Sequence, residues 1–103
     1  MSNTFNGGFI TVTKTGATVT TAATTARITM PTDAAGNLPR YVRIAATAES
    51  YIKLGDSTVT ATANDMLVQP ADAAILAVNG ATNIAYIQGG AAAKVNIVPL
   101  ENV

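Results

Sequence analysis

The chain has no cysteine, no histidine and no tryptophan. Without cysteine there is no disulfide framework and no thiolate nucleophile or metal ligand, so nothing in the fold depends on the redox compartment. Without histidine the side chain that most often shuttles protons near neutral pH is missing. Charge is sparse as well: six basic and six acidic residues cancel, and 12% of residues are charged against a usual ~25%. A zero net charge argues against a nucleic-acid surface, which needs a basic stripe. No apolar run approaches the ~18 residues of a membrane-spanning helix, and MSNTFNGG lacks the basic and apolar regions of a signal peptide. The expectation is a soluble protein made in the cytoplasm.

What is present is small and aliphatic. Hydrophobic residues make up 49% and aromatic ones 5% of 103 residues, many of the former being alanine. A chain of this length holds one core, so residues 1–103 read as a single domain. Burying a valine, leucine or isoleucine contributes roughly 1.5–3 kcal/mol, and alanine much less, so stability rests on an aliphatic minority or on a partner. Low charge and a small core both favour self-association, and a homo-oligomer, a dimer or trimer, is expected.

Alternation is clearest in residues 40–68, RYVRIAATAESYIKLGDSTVTATANDMLV. Val42, Ile44 and Ala46 share one face of an extended chain, as do Ile52 and Leu54 in the next run. Residues 47–49 are short enough to make the two runs a hairpin. Further strands are expected at 9–14, 17–21, 26–30, 58–63, 66–69, 73–78, 83–88 and 94–98, with Pro31, Pro70 and Pro99 as stops because proline has no N–H for a ladder. Turns fall at Thr15-Gly16, in residues 32–39, at Gly55-Asp56, Asn64-Asp65 and Gly89-Gly90, and at Asn79-Gly80, the strongest hairpin signal. Residues 71–78 are also compatible with a turn or two of helix. Short strands at this spacing predict an all-β antiparallel sandwich, jelly-roll-like or Ig-like. Residues 1–25 read as an arm or hairpin that orders on assembly. The expected core is Val42, Ile44, Ile52, Leu54, Val59, Leu67, Leu76, Val78, Ile84, Ile87, Val95 and Ile97.

No catalytic constellation emerges. Leu54-Gly55-Asp56-Ser57 matches the nucleophile block of GDSL hydrolases only on the surface, since that chemistry needs a histidine base. The glycine pairs lack the Gly-Lys-Ser/Thr of a phosphate loop. Asp56, Asp65 and Asp72 match no calcium-loop spacing, and Glu49 and Asp56 stand at opposite ends of one strand, too far apart for paired-carboxylate chemistry. No enzyme, cofactor or metal is therefore expected. Tyr41, Arg43, Tyr51 and Lys53 alternate against the core positions and read as an exposed face of one hairpin, tyrosine and arginine being enriched at interfaces. Phe5 and Phe9 are candidates for an arm that docks on a neighbour.

Within this stretch, RYVRIAATAESYIKLGDSTVTATANDMLVQP, followed by NIAYIQGG and KVNIVPLE, resembles small virion proteins of tailed bacteriophages of the capsid decoration or cement type. The shared features are the arginine-bearing strand, the Tyr-x-Lys-Leu-Gly-Asp turn, the Asp-Met-Leu-x-x-Pro stretch and the late Ile-Ala-x-Ile strand, over rather more than half of the chain. The resemblance implies a β-sandwich in the virion that bridges major capsid subunits, with that protein and further copies of itself as partners and with neither nucleic acid nor membrane. A head fibre, a tail or head-to-tail component, and a carbohydrate-binding module are the alternatives; the last needs an aromatic platform that this composition makes hard to build.

Overall fold

The computed structural model describes residues 4–5, 8–11, 16–33, 35–70 and 72–102, with side chains from 16–33, 35–70 and 72–100. The strands are β1 (Thr4–Phe5), β2 (Gly8–Thr11), β3 (Ala17–Thr20), β4 (Ala26–Thr29), β5 (Tyr41–Ala46), β6 (Ser50–Gly55), β7 (Met66–Val68), β8 (Ala74–Ala77), β9 (Asn83–Gln88) and β10 (Lys94–Asn102). All pairings are antiparallel. The helical alternative at 71–78 is replaced by β8, and no helix occurs among the described residues.

Two sheets form. One runs β3-β10-β5-β8, with β2 and then β1 continuing along the far end of β10; the other runs β4-β9-β6-β7. Antiparallel pairs nest inside one another: β6 with β7, β5 with β8, β4 with β9 and β3 with β10. The chain is thus one long hairpin wound around a core, which is the strand order of a jelly roll and not of an Ig domain.

This order corrects two hairpins. β5 and β6 lie in different sheets, so residues 47–49 form an arch over the core edge. Thr47 secures it, its N–H donating to the Lys94 carbonyl (3.0 Å) and its Oγ1 accepting from the Lys94 N–H (2.9 Å). Either arrangement buries the same alternate residues, which is why periodicity could not separate them. Asn79-Gly80 does make the expected tight turn, with φ of 53° and 81° and the Ala81 N–H on the Val78 carbonyl (3.0 Å). It nevertheless joins β8 to β9 across the sheets instead of closing a ladder.

Two strand limits also change. Residues 58–63 form no strand but part of a loop. Pro99 stands inside β10 instead of ending it, opposite Val42. The Lys94–Thr47 bond sets the alternation of that ladder and turns the position-99 nitrogen away from β5, into the stretch between the pairings of β10 with β3 and with β2. The missing N–H costs that ladder nothing.

The core lies between the sheets. Met30, Val42, Ile44, Ile52, Val68, Val78, Ile84, Tyr86, Val95 and Ile97 are buried in one cluster, with Val19, Ile28, Leu54 and Leu76 packed on it. Of the twelve expected core residues, Leu54 and Leu76 are half-buried, Val59 and Ile87 pack in a separate cluster on the outside of the β4-β9-β6-β7 sheet instead of between the sheets, and Leu67 is 38% exposed. Leu67 pairs with Tyr51, one residue out of phase with Ile52, so it faces outward while Val68 takes the buried place. Buried Thr21 bonds both backbone groups of Ala93, as a polar group removed from water requires.

Candidate interaction faces

The sheets place the two Tyr/basic pairs on opposite sides of the molecule. Inward positions of β5 are Val42 and Ile44, so Tyr41 and Arg43 point outward from the first sheet; inward positions of β6 are Ser50 and Ile52, so Tyr51 and Lys53 point outward from the second. The four residues do not share a face. Stacked sheets are ~10 Å apart, and each pair projects away from the other.

On the first face, register puts Arg43 between Val98 and Ile75, Tyr41 between Leu100 and Ala77, and Ala45 beside Asn96. Tyr41, Arg43, Ala45, Ile75 and Val98 are half-buried, because cross-strand neighbours cover their flanks. Toward β3 the face becomes polar: Thr18, Thr20 and Lys94 are exposed, and Asn96 Nδ2 donates to Thr18 Oγ1 (3.2 Å). An apolar field with a guanidinium and a phenol in it, edged by hydroxyls, has the make-up of a protein-binding patch.

The second face carries Arg27, Ala85 and Lys53 in one row and Ile87, Tyr51 and Leu67 in the next. Part of it is roofed by the loop 56–65. Val59 and Ala61 are buried against Ala85, with Ile87 packed beside them, and the Ala61 N–H donates to Thr25 Oγ1 (2.8 Å). Two side-chain turns hold the loop. The Asp56 carboxylate accepts from the Thr58 hydroxyl (2.6 Å) and N–H (2.9 Å), and the Asp65 carboxylate from the Thr62 N–H (2.7 Å) and hydroxyl (3.2 Å). The Thr58 hydroxyl bond, more than any other contact, holds the Asp56 carboxyl below the ordinary carboxylate range. Lys53 and Leu67 remain exposed at the open side of this face.

A cleft of about 340 Å3 opens at one end of the first sheet, lined by Leu38, Pro39, Arg40, Tyr41, Ala77, Asn79 and Gly80. Its floor is tied together by the Val78 N–H donating to the Arg40 carbonyl (2.9 Å). The loop above it is shaped by Asp33, whose Oδ1 accepts from the Ala35 and Asn37 N–H groups (2.9 Å each).

Phe5 lies in β1 and Phe9 in β2, paired near the end of β10; their side chains, and the docking role expected of them, fall outside the described residues. Among the described residues no group of three or more histidine, cysteine, aspartate or glutamate side chains is placed to hold a metal ion. The sequence reading missed Ile75, Val98 and Leu67 as outward apolar residues; for Ile75 and Val98 the signal was a phase opposite to Leu76 and Ile97, whereas the all-apolar run 66–68 offers none. No family model, no curated protein and no solved structure matches this chain.

Proposed function

We propose that the chain is a structural virion protein that decorates or cements a bacteriophage capsid by bridging neighbouring major capsid subunits. The observation that carries this reading is the placement of Tyr41 and Arg43 on one outer face and of Tyr51 and Lys53 on the other. A bridge needs two separate contact surfaces held rigidly apart, and a sandwich with an anchor pair on each side supplies them. Tyrosine and arginine give contact area and hydrogen bonds with little buried charge. A ligand that binds only the assembled shell stabilises it by mass action and requires affinity and shape but no reactive group. Jelly rolls recur in capsid proteins and in lectins, so the fold is compatible with the role and does not select it. The sequence resemblance to decoration proteins points the same way.

The cleft between Arg40, Tyr41 and Asn79 favours a second reading, a small glycan site, in which amide, guanidinium and phenol groups would meet sugar hydroxyls. The test is to locate the protein on particles by electron microscopy and to compare heat resistance with and without it. Density over capsid-subunit junctions, with loss of heat resistance on its removal, is expected. Density confined to a head fibre, the tail or the neck would replace the shell role, and glycan binding in titration calorimetry without particle binding would replace the virion role.

A further inference from the structure

The geometry points to β8 as a self-pairing edge through which two copies of this chain join their first sheets into one continuous sheet around a two-fold axis. This inference rests on strand geometry and goes beyond the role proposed above.

β8 ends its sheet: it pairs with β5, and no described strand lies beyond it. The Val78 to Arg40 backbone bond belongs to the same register as Tyr41 opposite Ala77. It fixes which backbone groups of β8 are used. Those of Ala74 and Leu76 face β5, and those of Ile75 and Ala77 face away, as antiparallel alternation demands.

The devices that ordinarily blunt an edge are missing from β8. Its four residues, Ala74, Ile75, Leu76 and Ala77, include no charge, proline or glycine. The other edges differ: β4 carries Arg27, β7 is three residues long with Pro70 close behind, and β3, although also free of charge, proline and glycine, carries the exposed hydroxyls of Thr18 and Thr20 in place of apolar side chains. The same flank of the sandwich also carries two of the exposed large apolar residues among the described ones. The short arch 47–49 sets β5 over β6, so β8 lies over β7, where Met66 and Leu67 are each 38% exposed.

The occupant is a second copy because the edge is its own complement. In an antiparallel pair centred on Ile75, Ile75 meets Ile75 of the other copy, Ala74 meets Leu76, and Ala73 meets Ala77. Ile75 with Ile75 and Ala73 with Ala77 are the hydrogen-bonded pairs, joining backbone groups that face away from β5, while Ala74 with Leu76 is a non-hydrogen-bonded pair that keeps inward residues inward and sets small against large. Arg43 lies one strand inside the edge, so the two guanidinium groups are kept three strand spacings, about 14 Å, apart. The result is an isologous two-fold dimer.

Light scattering on the full chain at tens of micromolar should give twice the 10.4 kDa of one chain. Ile75→Lys, which sets two ammonium groups face to face at the axis, should return it to a single chain with an unchanged β-sheet circular dichroism spectrum. Because the protein is free of cysteine, Ile75→Cys offers an independent test. Opposed Cα atoms of such a pair lie about 5.5 Å apart, within disulfide range, so mild oxidation should yield a covalent dimer, whereas Thr18→Cys should not. A wild-type chain that is monomeric, a dimer that survives Ile75→Lys, or a dimer that Ile75→Cys fails to cross-link overturns the proposal. A dimer with these properties that ignores capsids leaves the interface standing and overturns only the virion role.

Discussion

Ile44 and Leu67 were both expected inside, and only Ile44 is: it is fully buried between Ile97 and Ala74, whereas Leu67 stands outward beside Tyr51. The difference lies in pattern length. Six residues of β5 alternate plainly, while Met66, Leu67 and Val68 are apolar at every position and give no phase. Ile44→Asp should cost more than about 4 kcal/mol, an unpaired charge being buried, out of a total of about 5–15; Leu67→Asp should stay within about 0.5 kcal/mol. Urea unfolding of both variants checks the pair, and equal losses would refute the outward placement. Asp56 provides a pH test. Its carboxyl is held low chiefly by the Thr58 hydroxyl, so its contribution to stability is present above the unfolded-state pKa and disappears as pH falls through the lower folded value. Thr58→Ala should move the Asp56 titration, followed by carboxyl carbon NMR, back up toward the ordinary range.

Element by element, most strands were legible and most connections were not. β5, β6, β9 and the start of β10 fall where alternation placed them, because half-buried strands must show a period of two. The arch at 47–49 was unreadable: hairpin and arch bury Ile44 and Ile52 alike, and the choice is made by partners such as Lys94 that lie far along the chain. It follows that Tyr41, Arg43, Tyr51 and Lys53 could be recognised as outward but not assigned to two faces. The loop 56–65 misled for a different reason, since TVTATA alternates like a strand; yet what Val59 and Ala61 cover is Ala85 and Ile87 on the outside of the second sheet. Val59→Asp should therefore lower stability by about 2–3 kcal/mol, with Ala63→Asp, on an exposed residue of the same loop, nearly neutral. Thermal melts would reveal a free-standing loop if neither variant had an effect.

For the whole molecule, the nested pairing of β3 with β10 around β6 and β7 makes a rigid two-sided plate out of a sequence poor in charge and aromatics. Two-sidedness is what the proposed bridging role would use, so on that proposal each face should be necessary. Arg43→Asp and Lys53→Asp each reverse one anchor without touching the core, and neither should change the melting temperature of the free protein appreciably. The most direct measurement is the heat resistance of particles stripped of this protein and then incubated with the wild-type chain or with either variant. Restoration by the wild type and failure by both single-face variants is the result predicted. Full restoration by either variant, or stripped particles as robust as complete ones, would contradict the bridge.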